Sequence, residues 1–314
     1  MRAIIADQRQ PHGMRLASVP PPQTNAGQGQ VLVEVRHYSL NLREIHLAEE
    51  GGVPANLVLG WDAAGVVVAA ARSRGESGRT SGEFGPAVGD RVVTHSGNGG
   101  WAQLRSAPVS NMAVVPDSVD LAAAATLPVS ATTALGALRD AGPILGRRVL
   151  ITGASGGVGR FAVQLAALGG AYVIASVGSQ PRGMGLRELG AHEVVLGLDG
   201  IEEPVDVVID LVGGPSLVEA FGLLSLGGTV ESIGCVSGQP AVFPPYATVG
   251  PKRSLVSFTL PASLSADLTT LIGLLADGRL TAEIGWRGPW ERHDDAVAAL
   301  LSRQVNGKAV LDVS

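Results

Sequence analysis

The segment ITGASGGVGR, residues 151–160, constrains this chain more than any other stretch. RRVLITG reads as a strand, and VGRFAVQLAALGG as a helix with Val158, Phe161, Ala162, Leu165 and Ala166 along one face. Between them, Gly157-Val158-Gly159-Arg160-Phe161-Ala162 fits the G-x-G-x-x-G/A fingerprint in the strand–turn–helix setting it requires. Glycine lets the backbone approach a pyrophosphate closely. The helix N-terminus, worth about half a positive charge, favours the anion. The bland alternative is a tight turn with no ligand. Such a turn usually opens a domain, yet here it lies halfway along 314 residues, so a substantial unit precedes it.

Residues 1–116 carry β-branched runs (VLVEVRHYSL, AAGVVVAAA, GDRVVTH, WAQLRSAPVS, MAVVP) broken by Gly and Pro, the pattern of an irregular β-rich unit. Residues 72–90, polar and glycine-rich, read as a mobile surface loop. From residue 117 the texture changes. DSVDLAAAATLPVSATTALGALRDAG is helical and divided at Pro128. After it, the strands AYVIASVG, EVVLG, VDVVID, TVESIG and LVSFTL alternate with helical MGLRELG and SLVEAFGLLS. Strands apolar throughout imply a parallel sheet covered on both faces, hence an α/β, doubly wound, Rossmann-type domain over 117–261. Residues 262–314 hold two helical stretches and the strand KAVLDV, too little for a core of their own, and are expected to fold back onto residues 1–116.

An acid about 20 residues past the fingerprint would hold the ribose hydroxyls of NAD. Here there is none until Glu188; the second strand is followed instead by Ser179 and Arg182. A hydroxyl and a guanidinium suit a 2′-phosphate, which favours NADPH over NADH. The alternative is a merely solvated Arg182.

Composition excludes several classes. The net charge of −5 offers no general attraction for nucleic acid, and no apolar run reaches the ~20 residues of a membrane span. Cys235 is the only cysteine, so no internal disulfide forms. MRAIIADQRQ lacks the apolar core of a secretory signal, and a soluble cytoplasmic protein with a small-molecule substrate is expected. The turn also looks like that of the short-chain dehydrogenases, which need a Tyr-x-x-x-Lys pair. Four residues after Tyr38, Tyr172 and Tyr246 stand Leu42, Ser176 and Gly250, so that reading fails.

HYSLNLREIH, LGWDAAGVV, GDRVV, LPVSATTALGAL, ITGASGGVG, LGA, IDLVGG and a terminal GKAVL, in this order, make the chain resemble the medium-chain dehydrogenase/reductase superfamily. The likeness is greatest to its zinc-free quinone oxidoreductase (zeta-crystallin-like) branch. The resemblance implies a GroES-like catalytic domain built from 1–116 and 262–314, with the Rossmann domain inserted. It places Asn41 and Thr133 by the nicotinamide and its ribose, Gly156, Gly157 and Val158 at the pyrophosphate, and Ser179 and Arg182 at the 2′-phosphate. Val212 and Gly213 fall near the ribose; Ile233, Gly234 and Cys235 face the nicotinamide; Phe258 and Lys308 complete the pocket. Positions aligned with the zinc ligands of the superfamily's alcohol dehydrogenases are Asn41, Trp61 and Val129, which are not a zinc set. Without a Lewis acid the expected acceptor is already electrophilic, a quinone or an α,β-unsaturated carbonyl compound. Asn41, Tyr38 and His46 are the catalytic candidates, the last two as proton donors; either is equally readable as a structural residue. Arg43 with Glu44 reads as a structural pair, and Trp61 with Asp62 as packing. The family's adenine-covering Asn-Tyr pair is replaced by Leu196 and Gly197, and the tyrosine acid of enoyl-thioester reductases falls at Gly52. A dedicated enoyl reductase or reductive cyclase of a biosynthetic pathway, and an NADPH-binding protein without catalysis, remain as alternatives. The resemblance also implies a homodimer paired through LVSFTL.

Overall fold

The computed structural model describes residues 1–23, 29–70 and 85–314; most of the loop expected at 72–90 lies outside them. The chain opens with β1 (Arg2–Ala6), β2 (Met14–Ser18), β3 (Gln30–Ser39), α1 (Leu42–Glu49), β4 (Asp62–Ala69), β5 (Arg91–His95), β6 (Leu104–Pro108), β7 (Met112–Val114) and α2 (Leu121–Ala124). Then come α3 (Thr132–Asp140), β8 (Arg148–Ile151), α4 (Gly157–Leu168), β9 (Tyr172–Val177), β10 (Glu193–Leu196), β11 (Val205–Asp210), α5 (Gly214–Gly222), β12 (Leu224–Ser232) and β13 (Ser254–Ser257). The last elements are α6 (Ser265–Ala276), β14 (Ile284–Pro289), α7 (His293–Leu301) and β15 (Lys308–Asp312).

Two compact units result, Met1–Thr132 with Pro261–Ser314, and Thr133–Leu260. The first is the GroES-like β domain. Its seven-stranded sheet runs β14-β15-β3-β4-β5-β7, with β6 also pairing β3. β3 is the hub: β4, β6 and β15 all pair with it antiparallel, so the C-terminal strand completes a sheet begun by the N-terminal residues. Val35 and Tyr38 of β3 enter a core where Tyr38 stacks on Trp101 (centroids 5.6 Å apart), with Trp290, Ile4, Met14 and Ile45 around them, while Val31 and Val33 enter a second one with Val67 and Val92. Residues 117–132 group with this unit rather than with the one that follows, because α2 and the turn after it pack on β3, β4 and β5. Pro128 sits in a wide turn over Leu127–Ala131 that separates α2 from α3, since its ring cannot continue a regular helix.

The second unit is the Rossmann-type domain. Its six strands are all parallel, in the order β10-β9-β8-β11-β12-β13. Numbered within the unit this is 3-2-1-4-5-6, the dinucleotide-binding order, which reverses between β8 and β11. Residues 184–190, expected as a helix, form successive turns instead. Gly185 (φ +78) and Gly190 (φ +107) take left-handed backbone there, which a helix does not accommodate. No helix among the described residues is long and apolar enough to cross a membrane.

Candidate functional site

In the Rossmann-type unit the parallel strands end along one edge of the sheet, and residues 156–158, Ser179, Arg182, Val212, Gly213, residues 233–235 and Phe258 follow those ends in the chain. Gly156 caps α4, whose first residues Gly157 and Val158 stay partly exposed. The turn works because of two glycines: Gly153 has φ +62, and a Cβ on Gly159 would lie 2.6 Å from both Ala154 Cα and the Gly153 oxygen. At the next strand end, Arg182 Nε donates to Ser155 Oγ at 2.8 Å, which sets the guanidinium beside the glycine turn. Across the reversal point, Thr152 Oγ1 donates to Asp210 Oδ1 at 2.7 Å, and the Gly213 amide donates to Asp210 Oδ2 at 3.0 Å. Burial pushes the Asp210 carboxyl above its usual range, opposed by those hydrogen bonds. Gly213 (φ +69) lies against Gly234 and Cys235, and Phe258 packs on Gly136 of α3, the helix that carries Thr133. Cys235 is exposed.

The GroES-like unit holds a buried polar cluster at the start of α1. Asn41 precedes that helix, and its Nδ2 donates to Glu44 Oε2 (2.7 Å) and to Asp62 Oδ2 (2.9 Å). Its Oδ1 accepts from Lys308 Nζ at 2.5 Å; the same ammonium donates to the Leu40 carbonyl at 2.8 Å. Asp62 Oδ2 also accepts from Ser39 Oγ (2.9 Å), and Glu44 Oε1 accepts from the Trp61 amide (2.6 Å). Arg105, fully buried, donates to the carbonyls of Thr94, Trp61, Ser96 and Asn98 and lines this loop region rather than pairing with a carboxylate. Burial, then the Asp62 charge, push Glu44 up to about 8, against the pull of Asn41 and Lys308. Burial also acts to raise Asp62, but His95, Lys308 and Asn41 outweigh it and hold that carboxyl below its ordinary value. Burial lowers Lys308 and brings Arg105 down to about 10.

Comparison with known proteins agrees with this architecture. The family model described as the alcohol dehydrogenase GroES-like domain matches residues 27–117, and the one described as zinc-binding dehydrogenase matches 157–277. The quinone oxidoreductase of Mus musculus is 29% identical, over 92% of this chain and 88% of that one. The chain belongs to the medium-chain dehydrogenase/reductase superfamily, in its quinone oxidoreductase branch. A mycocerosic acid synthase-like polyketide synthase of Mycobacterium tuberculosis is also 29% identical, over 94% of this chain, which spans only 14% of that protein's length. Two solved structures superpose over nearly the full length. An NAD-dependent alcohol dehydrogenase has a TM-score of 0.87 at 25% identity, covering 100% of both chains. The mycobacterial protein Rv1454c complexed with NADPH scores 0.83 at 26%, covering 99% of this chain and 100% of that one.

The family model matched over residues 157–277 is named for zinc, and the residues of this chain do not fit that metal. Asn41, at an aligned ligand position, has its oxygen engaged by an ammonium group. Among the described residues no group of three His, Cys, Asp or Glu side chains could hold a metal ion.

Tyr38 needs correcting as a proton donor. Its side chain is 0% exposed in the core of the GroES-like unit, on the face of β3 opposite Ser39, and its hydroxyl has no partner. A proton given up there could not be replaced from water. His46, on α1, is half-buried. Arg43 does not pair with Glu44: it reaches Glu50 at 3.7 Å, while Glu44 turns inward. Asp62 does more than pack, joining Asn41, Ser39 and Lys308. Sequence reading passed over Ser155, Thr152, Asp210 and Arg105. A usable signal existed for Asp210, an acid closing the apolar strand VDVVID at the reversal point.

Proposed function

We propose that this chain is an NADPH-dependent, zinc-independent reductase that transfers hydride to a quinone or to an α,β-unsaturated carbonyl compound. The observation that carries the reading is Arg182 anchored on Ser155 of the glycine turn, at a strand end with no acid before Glu188. NADPH supplies the hydride when bound. The chain's own residues bind and orient. The amides opening α4 (Gly156, Gly157, Val158) hold the pyrophosphate, and Ser179 and Arg182 hold the 2′-phosphate. Val212, Gly213, Ile233, Gly234, Cys235, Thr133 and Phe258 surround the ribose and nicotinamide. His46, partly exposed on α1, is the remaining proton-donor candidate. The NADPH complex of Rv1454c and the name of the mouse relative support this reading. A homodimer goes with it: β13 is an open sheet edge on which Leu255 and Val256 are 45% and 40% exposed.

The similarity to polyketide synthases favours a second reading, a dedicated enoyl reductase acting on one pathway intermediate. NADPH oxidation followed by absorbance, with quinones, enones and enoyl thioesters run side by side, separates the two. Broad quinone turnover supports the first reading and turnover confined to enoyl thioesters the second. NADPH binding without turnover on any substrate points to a non-catalytic role.

Cofactor choice has its own check. Arg182→Ala should weaken NADPH binding by about 10- to 100-fold, the value of a charge-assisted hydrogen bond, and leave NADH nearly unchanged. Equal losses in paired fluorescence titrations would show that Arg182 does not read the phosphate.

A further inference from the structure

Lys308 and Lys252 are the only lysines in the chain, and Lys308 is 3% exposed. An ammonium group is strongly hydrated and is almost never buried without partners. The partners of Lys308 are the Leu40 carbonyl, Asn41 Oδ1 and, at 3.8 Å, Asp62 Oδ2. An ammonium can only donate, so the oxygen of the Asn41 carboxamide must face it. Asp62, an ionised carboxylate, can only accept at the oxygen that meets Nδ2, so the amide nitrogen must face it, and Glu44 Oε2 accepts the second N–H. One orientation of Asn41 survives. Both Nδ2 hydrogens are then spent, and only a lone pair on Oδ1 remains.

The other charged groups nearby do not compete for Asn41. Arg105, from β6, directs Nη1 and Nη2 to backbone carbonyls and the Thr94 hydroxyl and makes no hydrogen bond to Asn41. His95, from β5, lies 3.8 Å from Asp62 Oδ1. Ser39, from β3, donates to Asp62 alone.

We propose that the Lys308 ammonium is a built-in cation that balances Asp62 and locks Asn41 so that it presents an acceptor and no donor. Lys308 is thus a positioning residue. Taken with the reductase reading, on which this further step rests, the lock sets the chemistry of the group that meets Asn41. That group must carry an N–H or O–H, as a primary amide does; the carbonyl oxygen of a quinone or enone finds no donor there. The lock itself is independent of which acceptor is reduced.

The test uses the intact chain, 15N-labelled on its lysine side chains, with Lys252→Arg leaving a single ammonium. Lys308 should give a sharp Nζ signal at pH 7, protected from solvent exchange and shifted by Asp62→Asn. An amine exchanging as fast as a surface lysine overturns the proposal. A thermal double-mutant cycle is the second measurement. Lys308→Met should lower the unfolding midpoint by about 10 °C, since it strands a buried carboxylate. Combined with Asp62→Asn it should lower the midpoint by clearly less than the two losses summed. Strict additivity would mean that Lys308 contributes only the packing of its stem, and would sink the idea. Absence of NADPH turnover beside a protected ammonium would remove the reductase reading and leave the lock supported.

Discussion

Gly159→Ala should weaken NADPH binding by about 30-fold. A Cβ there would come within 2.6–2.7 Å of Gly153 O, Ala154 Cα and Ala154 C. All three are backbone atoms of the turn itself, so no side chain can swing aside, and α4 must lift away from the end of β8. Overpacking of this kind costs about 2 kcal/mol, equivalent to that factor in affinity if the displacement falls on the amides facing the pyrophosphate. Gly156 makes a contrasting control. Its Cβ would approach only the Gly153 oxygen, at 3.5 Å, so Gly156→Ala should leave the turn's backbone in place. Fluorescence titration of NADPH into both variants checks the pair. Equal behaviour would show that the close approach at Gly159 does not govern the site.

The unfolding midpoint should fall as pH rises from 5 to 9, and Glu44→Gln should flatten most of that slope. Burial and the Asp62 charge raise the Glu44 carboxyl from 4.5 to about 8. Between those values the folded chain keeps a proton that the unfolded chain releases. Its stabilising contribution is therefore complete below about pH 4.5 and is lost as pH climbs through 8. The effect is roughly 3 kcal/mol across the window, of the order expected for a shift of several units. Glu231, raised to about 7 chiefly by burial, acts in the same direction and should leave a residual slope in the variant. Asp62, held low, loses its contribution only below its ordinary value of 3.8, outside this range.

At pH 5, where the folded wild type keeps the Glu44 proton, the same variant should have the lower midpoint, although glutamine imitates a neutral acid in shape. Both Glu44 oxygens receive N–H donors, from Trp61 and from Asn41. A carboxylic acid can accept at both and still aim its O–H elsewhere. A cavity of about 20 Å³ beside it, lined in part by Gly60, Gly97 and Asn98, has room for about one water. A glutamine must instead turn its NH2 toward one of the two donors. Circular dichroism melts from pH 5 to 9 test both parts. A wild-type midpoint that rises through this range would overturn the assignment of Glu44.

The glycine turn, α4 and the strands of the Rossmann-type unit were legible because their signals are local. The fingerprint spans six consecutive residues, and strands buried on both faces read as apolar runs in any context. The missed helix at 184–190 shows the limit of that reading. Its apolar spacing suited a helix, but the left-handed backbone of Gly185 and Gly190 decided otherwise.

The buried cluster is the opposite case. Arg43 and Glu44 are adjacent in sequence and looked like a pair, yet neighbours on a helix point about 100° apart. Arg43 faces solvent while Glu44 faces Asn41. Asp62 and Lys308 reach the same place only because β3 pairs with both β4 and β15, setting Ser39 opposite Asp62 on one side and Val310 on the other. Sequence by itself determined the two kinds of domain, the order of the parallel strands' signals and the glycine-rich turn, all of which depend on contiguous residues. Tertiary structure alone decided that an ammonium 267 positions away holds Asn41, because hydrogen bonds between side chains depend on distance in space and leave no period in the chain.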